Sequence, residues 1–149
     1  MKTRFTLDCA EEIDFTVLAI NSHIKAYKLC WNINKSLQLN FEKKKDHNIK
    51  EELWFPRYTS VCADDVEYTL LANRSKNGYL IPSKKSVNFF LLIKNNYWQQ
   101  EKIEFISKLR EIEGILLVFE VDTNGIKHID RFFLMIRKTK IIATIGPAT

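Results

Sequence analysis

Two segments of the chain repeat apolar residues at the spacing of an amphipathic helix. The first segment, about residues 22–37, has apolar positions at Ile24, Tyr27, Cys30, Trp31, Ile33 and Leu37. The second, residues 98–112, has them at Ile103, Phe105, Ile106, Leu109 and Ile112. Side chains three or four residues apart share one face of a helix, so each segment predicts a helix with that face in the core. Ser22 is the expected N-cap of the first helix, and Gly114 is expected to end the second.

Short runs of β-branched and aromatic residues predict the strands of a sheet. These runs are residues 4–7, 15–20, 54–61, 66–73, 79–81, 87–93 and 115–121. The run at 15–20 could also lead into the first helix, and residues 126–133 fit either a short helix or a last strand. Between residues 54 and 93 the links are too short for crossover helices, which predicts an antiparallel meander. The pattern therefore predicts one α+β domain, an antiparallel sheet packed with two main helices, followed by an extended C-terminal tail.

Residues 42–50, with the sequence EKKKDHNIK, form a dense charge run. A basic run of this kind can bind nucleic acid or phosphate. Glu42, Asp46, Glu51 and Glu52 lie within or beside it and largely cancel its positive charge. We therefore interpret the run as a solvated loop.

Length and composition indicate an ordinary globular protein. The chain has 149 residues, of which 46% are hydrophobic, and this length is typical of one domain. Charged residues interrupt its start, and no run approaches the roughly 18 apolar residues of a membrane span. Cys9, Cys30 and Cys62 are too widely spaced for a disulfide framework or a metal-binding pair. We therefore expect a cytoplasmic protein with reduced thiols and no membrane partner.

The segment at residues 79–93, YLIPSKKSVNFFLLI, combines a structural pattern with a family resemblance. A turn is predicted at Asn77-Gly78, and a buried strand at residues 87–93. Pro82 lacks a backbone donor and belongs at a strand end or bulge. Within this segment, IPSKKSVNF resembles the signature of the IPExxxVDY family, small bacterial proteins of uncharacterised function. Ile81, Pro82 and Val87 match that signature.

The resemblance extends over roughly residues 2–134, with further matching patches at residues 27–34, 89–93 and 129–132. It implies a small domain at residues 1–134 with no assigned activity. Three signature positions differ: Ser83 replaces Glu, Asn88 replaces Asp and Phe89 replaces Tyr. If the two carboxylates form a binding or catalytic pair in the family, this chain lacks that pair.

The tail has a resemblance of its own. Residues 137–149, RKTKIIATIGPAT, resemble the start of pyruvate kinase, where such a segment is the first strand of the catalytic TIM barrel. The alternative is an unrelated strand followed by a Gly-Pro turn. A TIM barrel takes about 250 residues, so residues 135–149 would be a truncated fragment without catalytic or metal residues. A gene fusion, a missed stop or an interrupted reading frame would each explain such a fragment.

No arrangement of residues predicts catalysis, a cofactor or a metal site. His23, His47 and His128 lie in separate segments, and none has a second histidine at helical spacing. Phosphate-loop, dinucleotide-binding, kinase and serine-hydrolase fingerprints are all missing from the sequence. Cys30 is expected in the core, and the carboxylates of Asp8, Glu11, Glu12 and Asp14 lack the loop pattern of a cation site. We therefore expect no catalytic, cofactor-binding or metal residues, and no enzymatic activity in this 149-residue chain.

The charge of the chain bears on its partners. The net charge is +5, but Arg137, Lys138 and Lys140 in the tail supply three of these charges. The remaining +2 argues against a nucleic-acid partner. Trp54, Phe55, Tyr58 and Tyr68 could form a stacking face for single strands, although core packing is the commoner role of such residues.

Three functional hypotheses follow from the sequence. We favour a non-catalytic binding or accessory module, for which a protein partner is the expected ligand. The first alternative is a truncated fusion to pyruvate kinase, which transfers a phosphoryl group between phosphoenolpyruvate and ADP; this chain alone would be inactive. The second alternative is a weak nucleic-acid binder.

Overall fold

Eight strands and two α-helices make up the regular structure of the described residues, together with short 3₁₀ turns. The computed structural model describes residues 15–50, 52–126 and 128–132. The strands are β1 (Thr16–Ser22), β2 (Glu42–Lys50), β3 (Leu53–Val61), β4 (Glu67–Ala72), β5 (Arg74–Ser75), β6 (Gly78–Tyr79), β7 (Phe89–Lys94) and β8 (Ile115–Glu120). The helices are α1 (Ala26–Leu37) and α2 (Trp98–Arg110). The predicted strand at 4–7, Cys9, the carboxylate cluster and the tail at 135–149 lie outside the described residues.

Six of the strands form one antiparallel sheet in the order β2-β3-β4-β7-β1-β8. β3, β4 and β7 are antiparallel neighbours in succession, as the predicted meander requires, but the predicted strand at residues 79–81 is not part of the sheet and β2 is added at its edge. β1 is inserted between β7 and β8, and β5 pairs only with β6 in a separate ribbon. The chain is therefore a single α+β domain, as the order of elements predicted.

Each face of the sheet is buried by a different covering, because alternate side chains of a strand point to opposite faces. Both helices cover the first face, where the main buried residues are Leu18, Ile20, Leu29, Ile33, Tyr68, Leu70, Leu91, Ile93, Phe105 and Leu109. Irregular segments cover the second face. The main buried residues of that face are Val17, Ala19, Phe55, Leu71, Leu80, Ile81, Val87, Phe90, Leu92, Ile126 and Phe132. No helix in the described parts of the chain is long and apolar enough to cross a membrane.

The irregular segments that cover the second face end in a short 3₁₀ helix, Ile129–Phe132. Of the two predictions for residues 126–133, a short helix and a last strand, the described residues therefore fit the short helix. Phe132 packs edge-on against Phe90, with ring centroids 5.3 Å apart. The Arg131 guanidinium donates hydrogen bonds to the carbonyls of Tyr79 (3.1 Å) and Leu80 (3.0 Å). The backbone carbonyl of Arg131 accepts a hydrogen bond from His47 Nε2 at 2.5 Å. Arg131 thereby holds the end of the described chain against β2 and the β6 ribbon.

The predicted N-cap at Ser22 is wrong. Ser22 is the last residue of β1, and α1 begins four residues later, after Lys25, without a side-chain cap. Pairing with β8 extends β1 through this position, where the Ser22 hydroxyl donates to the Gly114 carbonyl (2.5 Å) and accepts from the Ile24 N–H (3.2 Å). The residue therefore joins the end of β1 to the loop between α2 and β8.

The charge run at residues 42–50 is also not a loop. It forms β2, an edge strand paired along its length with β3. Two ion pairs lie along it, Lys43 with Asp46 (2.6 Å) and Lys44 with Glu42 (3.6 Å). Charged side chains suit an edge strand, because they oppose pairing with another chain.

Three expectations about burial are wrong in detail. Tyr79 belongs to the β6 ribbon, while Leu80 and Ile81 pack beneath the main sheet rather than extend it. β8 is an edge strand, and only every third residue of it is buried. On the helices, Tyr27, Trp31 and Ile103 face solvent instead of the core. On α1 the neighbouring stripe of residues, which includes Leu29, occupies the buried side instead.

Candidate binding surfaces

The residues that match the family signature serve the core. Ile81 and Val87 are buried in the second face of the sheet, and Pro82 opens the short 3₁₀ turn Pro82–Lys84 between them. The proline fixes φ and needs no hydrogen-bond partner for its nitrogen, which suits the first position of that turn. The signature therefore encodes a compact segment that covers the sheet.

One fully buried polar residue, Asn73, fixes this segment to the end of β4. Its Oδ1 accepts from the Ile81 N–H (2.8 Å), and its Nδ2 donates to the carbonyls of Lys84 (2.8 Å) and Val87 (2.9 Å). The Asn73 backbone also bonds at both groups, with Asn88 and Leu80. Every polar group of this buried amide therefore has a partner, as burial requires.

The three positions that depart from the signature have separate environments. Ser83 is exposed, and Phe89 is buried on the helix side of the sheet. Asn88 is half-buried, and its Oδ1 accepts a hydrogen bond from the Ser22 N–H at 2.8 Å. Asn88 thus links β7 to the end of β1, which is a structural role for the side chain that replaces the family's aspartate.

The histidines occupy separate parts of the fold. His23 lies exposed ahead of α1, His47 is buried on β2, and His128 is exposed near the C-terminal 3₁₀ helix. Among the described residues no three His, Cys, Asp or Glu side chains come together in a way that could hold a metal ion.

Burial raises the pKa of the Cys30 thiol from 9.0 to about 12. Cys30 lies on the sheet side of α1 among apolar residues, where the thiolate would be poorly solvated. A nucleophilic cysteine needs the opposite environment, exposed and electropositive. Cys30 is therefore a core residue, as the sequence predicted.

Because the pKa of Cys30 is raised, the stability of the fold is expected to fall as the pH rises through the alkaline range. Below pH 9.0 the thiol is protonated in both the folded and the unfolded chain, whereas between pH 9.0 and about 12 only the unfolded chain ionises. We expect the unfolding free energy to fall there by about 1.4 kcal/mol per pH unit from this group. Urea unfolding of wild type and Cys30→Ala, compared at about pH 8 and about pH 10, should show a smaller pH dependence in the variant. Equal dependence in both proteins would contradict this assignment.

The four aromatic residues considered as a stacking face do not share one surface. Phe55 packs in the second face of the sheet, and Tyr68 packs on the helix side, where it stacks on Phe105 with centroids 5.3 Å apart. Tyr58 is half-buried, and of the four only Trp54 is exposed. Core packing is therefore the main role of this set.

The exposed side of α1 carries aromatic and cationic residues together. Tyr27 and Trp31 are 64% and 53% exposed, although both were predicted to face the core. The Trp31 ring lies 5.1 Å from the Lys28 ammonium and 4.2 Å from that of Lys35, within cation–π range. We call these four residues the α1 face. The sequence held one signal for it, because Lys28 and Lys35 stand three residues before and four after Trp31, where helical side chains meet.

The α1 face is uniformly positive, since α1 contains no acidic residue. Beside its first turn lies an open cleft of about 500 Å³, lined in part by Ser22, Asn88 and Phe89. Three basic residues also line this cleft, His23, Lys25 and Arg74, and no acidic residue does. Lys28 and Lys35 of the α1 face and the basic residues of the cleft therefore place several cationic side chains along and ahead of α1.

No protein-family model matches this chain, and no curated protein matches it. The function therefore has to be inferred from the residues of these surfaces.

Proposed function

We propose that this protein is a non-catalytic binding module and that its α1 face binds an acidic segment of a protein partner. The observation that carries the proposal is the exposure of Tyr27 and Trp31 between lysines, on a helix without a single carboxylate. Tryptophan and tyrosine are enriched among the side chains that dominate binding energy at protein interfaces. The positive charge of the surface selects an acidic ligand.

A protein ligand fits this surface better than a nucleic acid does. The lysine ammonium groups already lie over the Trp31 ring, so a stacking base would have to displace them. Carboxylates can pair with the same ammonium groups while they stay in place, and apolar side chains can pack beside Tyr27 and Trp31. The cationic cleft beside the first turn of α1 extends the surface for further acidic residues.

Replacement of Trp31 by alanine is expected to weaken binding by about 2 kcal/mol, or roughly 30-fold, because it removes the main apolar contact. The probe is a fluorescein-labelled peptide of glutamate and leucine, and the measurement is fluorescence anisotropy over a range of salt concentrations. Lys28→Glu/Lys35→Glu should abolish binding, because the attraction between the lysines and the acidic peptide becomes repulsion. The matched control is Trp54→Ala, because Trp54 is also an exposed tryptophan but lies on β3.

Absence of peptide binding by the wild-type chain would refute the proposal, as would an equal loss with Trp54→Ala. Labelled oligothymidine, titrated in parallel, tests the alternative of a weak nucleic-acid binder. Binding of oligothymidine that is tighter than that of the peptide and lost in Trp31→Ala would favour that alternative instead.

We also propose that the chain is a member of the IPExxxVDY family from the bacterial cytoplasm. Support comes from the signature matches at Ile81, Pro82 and Val87 and from the thiols of Cys30 and Cys62, which are free. For residues 135–149 the proposal remains a fragment of pyruvate kinase. Sequencing of the coding DNA beyond Thr149 tests it: a frame that continues into a TIM barrel would support the fusion, and a stop codon would count against it.

A further inference from the structure

The two edges of the main sheet differ in character. β2, at one edge, is charged along its length, as described above. β8, at the other edge, has the sequence ILLVFE and exposes Leu116 (62%), Leu117 (48%) and Phe119 (37%). Natural sheets protect an edge with charge, and an apolar edge usually has a neighbour. In the described parts of the chain no strand pairs with the outer side of β8.

The register shows which backbone groups of β8 point outward. The Val121 N–H donates to the Val17 carbonyl at 2.8 Å, so residues 17 and 121 form a hydrogen-bonded pair. Two residues further along, Ala19 and Phe119 form the next such pair. The non-hydrogen-bonded pair Leu18 with Glu120 lies between these two pairs, and the non-hydrogen-bonded pair Ile20 with Val118 follows them. The N–H and C=O groups of Val118 and Glu120 therefore point away from β1. The Val118 carbonyl accepts from Arg110 Nη2 at 3.1 Å, which agrees with this orientation.

We propose that β8 pairs with β8 of a second copy of this chain and joins the two sheets across a two-fold axis. A two-fold through Phe119 satisfies the outward groups, because Val118 of each copy then exchanges two hydrogen bonds with Glu120 of the other. Phe119 faces Phe119 of the second copy in the close, non-hydrogen-bonded pair, which favours aromatic contact. This interface is separate from the α1 face.

Charge complementarity supports the same register. Val118 and Glu120 point to the helix side of the sheet, where the Lys102 ammonium lies 3.6 Å from the Glu120 carboxylate. In the pair of chains, Glu120 of one copy lies opposite Val118 of the other, beside the Arg110 guanidinium. Arg110 can then exchange the Val118 carbonyl for a carboxylate of the second copy, and symmetry repeats this ion pair.

The contrast between the edges also limits the assembly to two copies. A chain with two open edges could add copies without end, but the charged β2 opposes such pairing. Of the two edges of the main sheet only β8 is apolar, so pairing through this sheet closes after one step.

Sedimentation equilibrium of the full chain tests the proposal. We expect a mass of twice 17.6 kDa for the wild type and 17.6 kDa for Phe119→Lys, which sets two lysines against each other at the axis. Arg110→Glu should also give the smaller mass, and Arg110→Glu/Glu120→Arg should restore the larger one. Val61→Lys, at an exposed position on β3, is the control and should leave the mass unchanged.

Hydrogen exchange of the Val118 and Glu120 amides identifies what covers the edge. Protection that rises with protein concentration and is lost in Phe119→Lys supports pairing of two copies. A wild-type chain that sediments at 17.6 kDa overturns the proposal, and protection of both amides at that mass assigns the edge to another part of the same chain. A larger mass that survives both Phe119→Lys and Arg110→Glu overturns it as well.

Discussion

Replacement of Asn73 by alanine is expected to lower the free energy of unfolding by about 4 kcal/mol. The change removes three side-chain hydrogen bonds and leaves the Ile81 N–H and the Val87 carbonyl without this partner, while the Lys84 carbonyl keeps the hydrogen bond from the Val87 N–H. These groups lie in a region that water enters poorly, because Asn73 itself is fully buried. A buried group left without a hydrogen bond costs about 1–3 kcal/mol.

Urea unfolding followed by circular dichroism measures this loss. Asn73→Asp keeps an acceptor for Ile81 but provides no donor, and it buries a charge, so it should be at least as destabilising as alanine. Asn77→Ala is the matched control, because Asn77 donates to the Glu52 carbonyl at an exposed site. We expect that control to lose less than about 1 kcal/mol. Equal losses for Asn73→Ala and Asn77→Ala would show that the segment at 81–87 does not depend on the amide.

Gly114→Ala is expected to destabilise the fold by about 3 kcal/mol, through two separate causes. Gly114 has a φ of +100°, which a residue with a Cβ adopts only under strain. A Cβ at this position would also lie 2.7 Å from Ile24 Cδ1, so the side chain ahead of α1 must move. The Gly114 carbonyl accepts a hydrogen bond from the Ser22 hydroxyl. Displacement of the loop would therefore strain this hydrogen bond as well.

Thermal unfolding of Gly114→Ala and Gly78→Ala separates these causes. At Gly78 a Cβ would meet Leu53 Cδ2 at 3.0 Å, while φ lies outside the left-handed region, so this variant reports crowding with little backbone strain. We expect the melting temperature of Gly114→Ala to fall clearly further than that of Gly78→Ala. If the two variants melt alike, the positive φ of Gly114 contributes little to stability.

Alternation and helical periodicity were sufficient to predict the architecture. The β-branched runs at 54–61 and 66–73 became β3 and β4, and the helix predicted at 98–112 became α2. These patterns report burial directly, because a strand or helix that packs on one side must repeat its apolar residues at its own period. An antiparallel sheet packed with two helices follows from them, although the charged edge strand β2 does not.

The errors arose where tertiary contacts override local pattern. The charged residues 42–50 form a strand because β3 offers a partner, and an edge strand tolerates charge on its exposed side. Tyr27 and Trp31 fit an apolar helical stripe, but α1 rotates so that Leu29, Cys30 and Ile33 meet the sheet. Periodicity cannot choose between adjacent stripes when both contain apolar residues.

The candidate surfaces were harder to predict than the fold. The role of Asn73 depends on a segment up to 14 residues away that folds back over it, which no local spacing predicts. The apolar edge at β8 becomes visible only when the strand order is known, because the same sequence would be an ordinary buried strand in the middle of the sheet. Binding sites of this kind are properties of topology, not of composition.

The insertion of β1 between β7 and β8 has a consequence for synthesis on the ribosome. β1 is the first described strand to be made, yet both of its neighbours come from the second half of the chain. Its residues Val17 to Ile20, which are buried in the folded protein, therefore lack β7 and β8 while the earlier strands of the meander emerge and pair. Contacts of such long sequence separation form slowly. The nascent chain should thus expose an apolar strand until β7 and β8 have been made, which is the situation in which ribosome-associated chaperones bind.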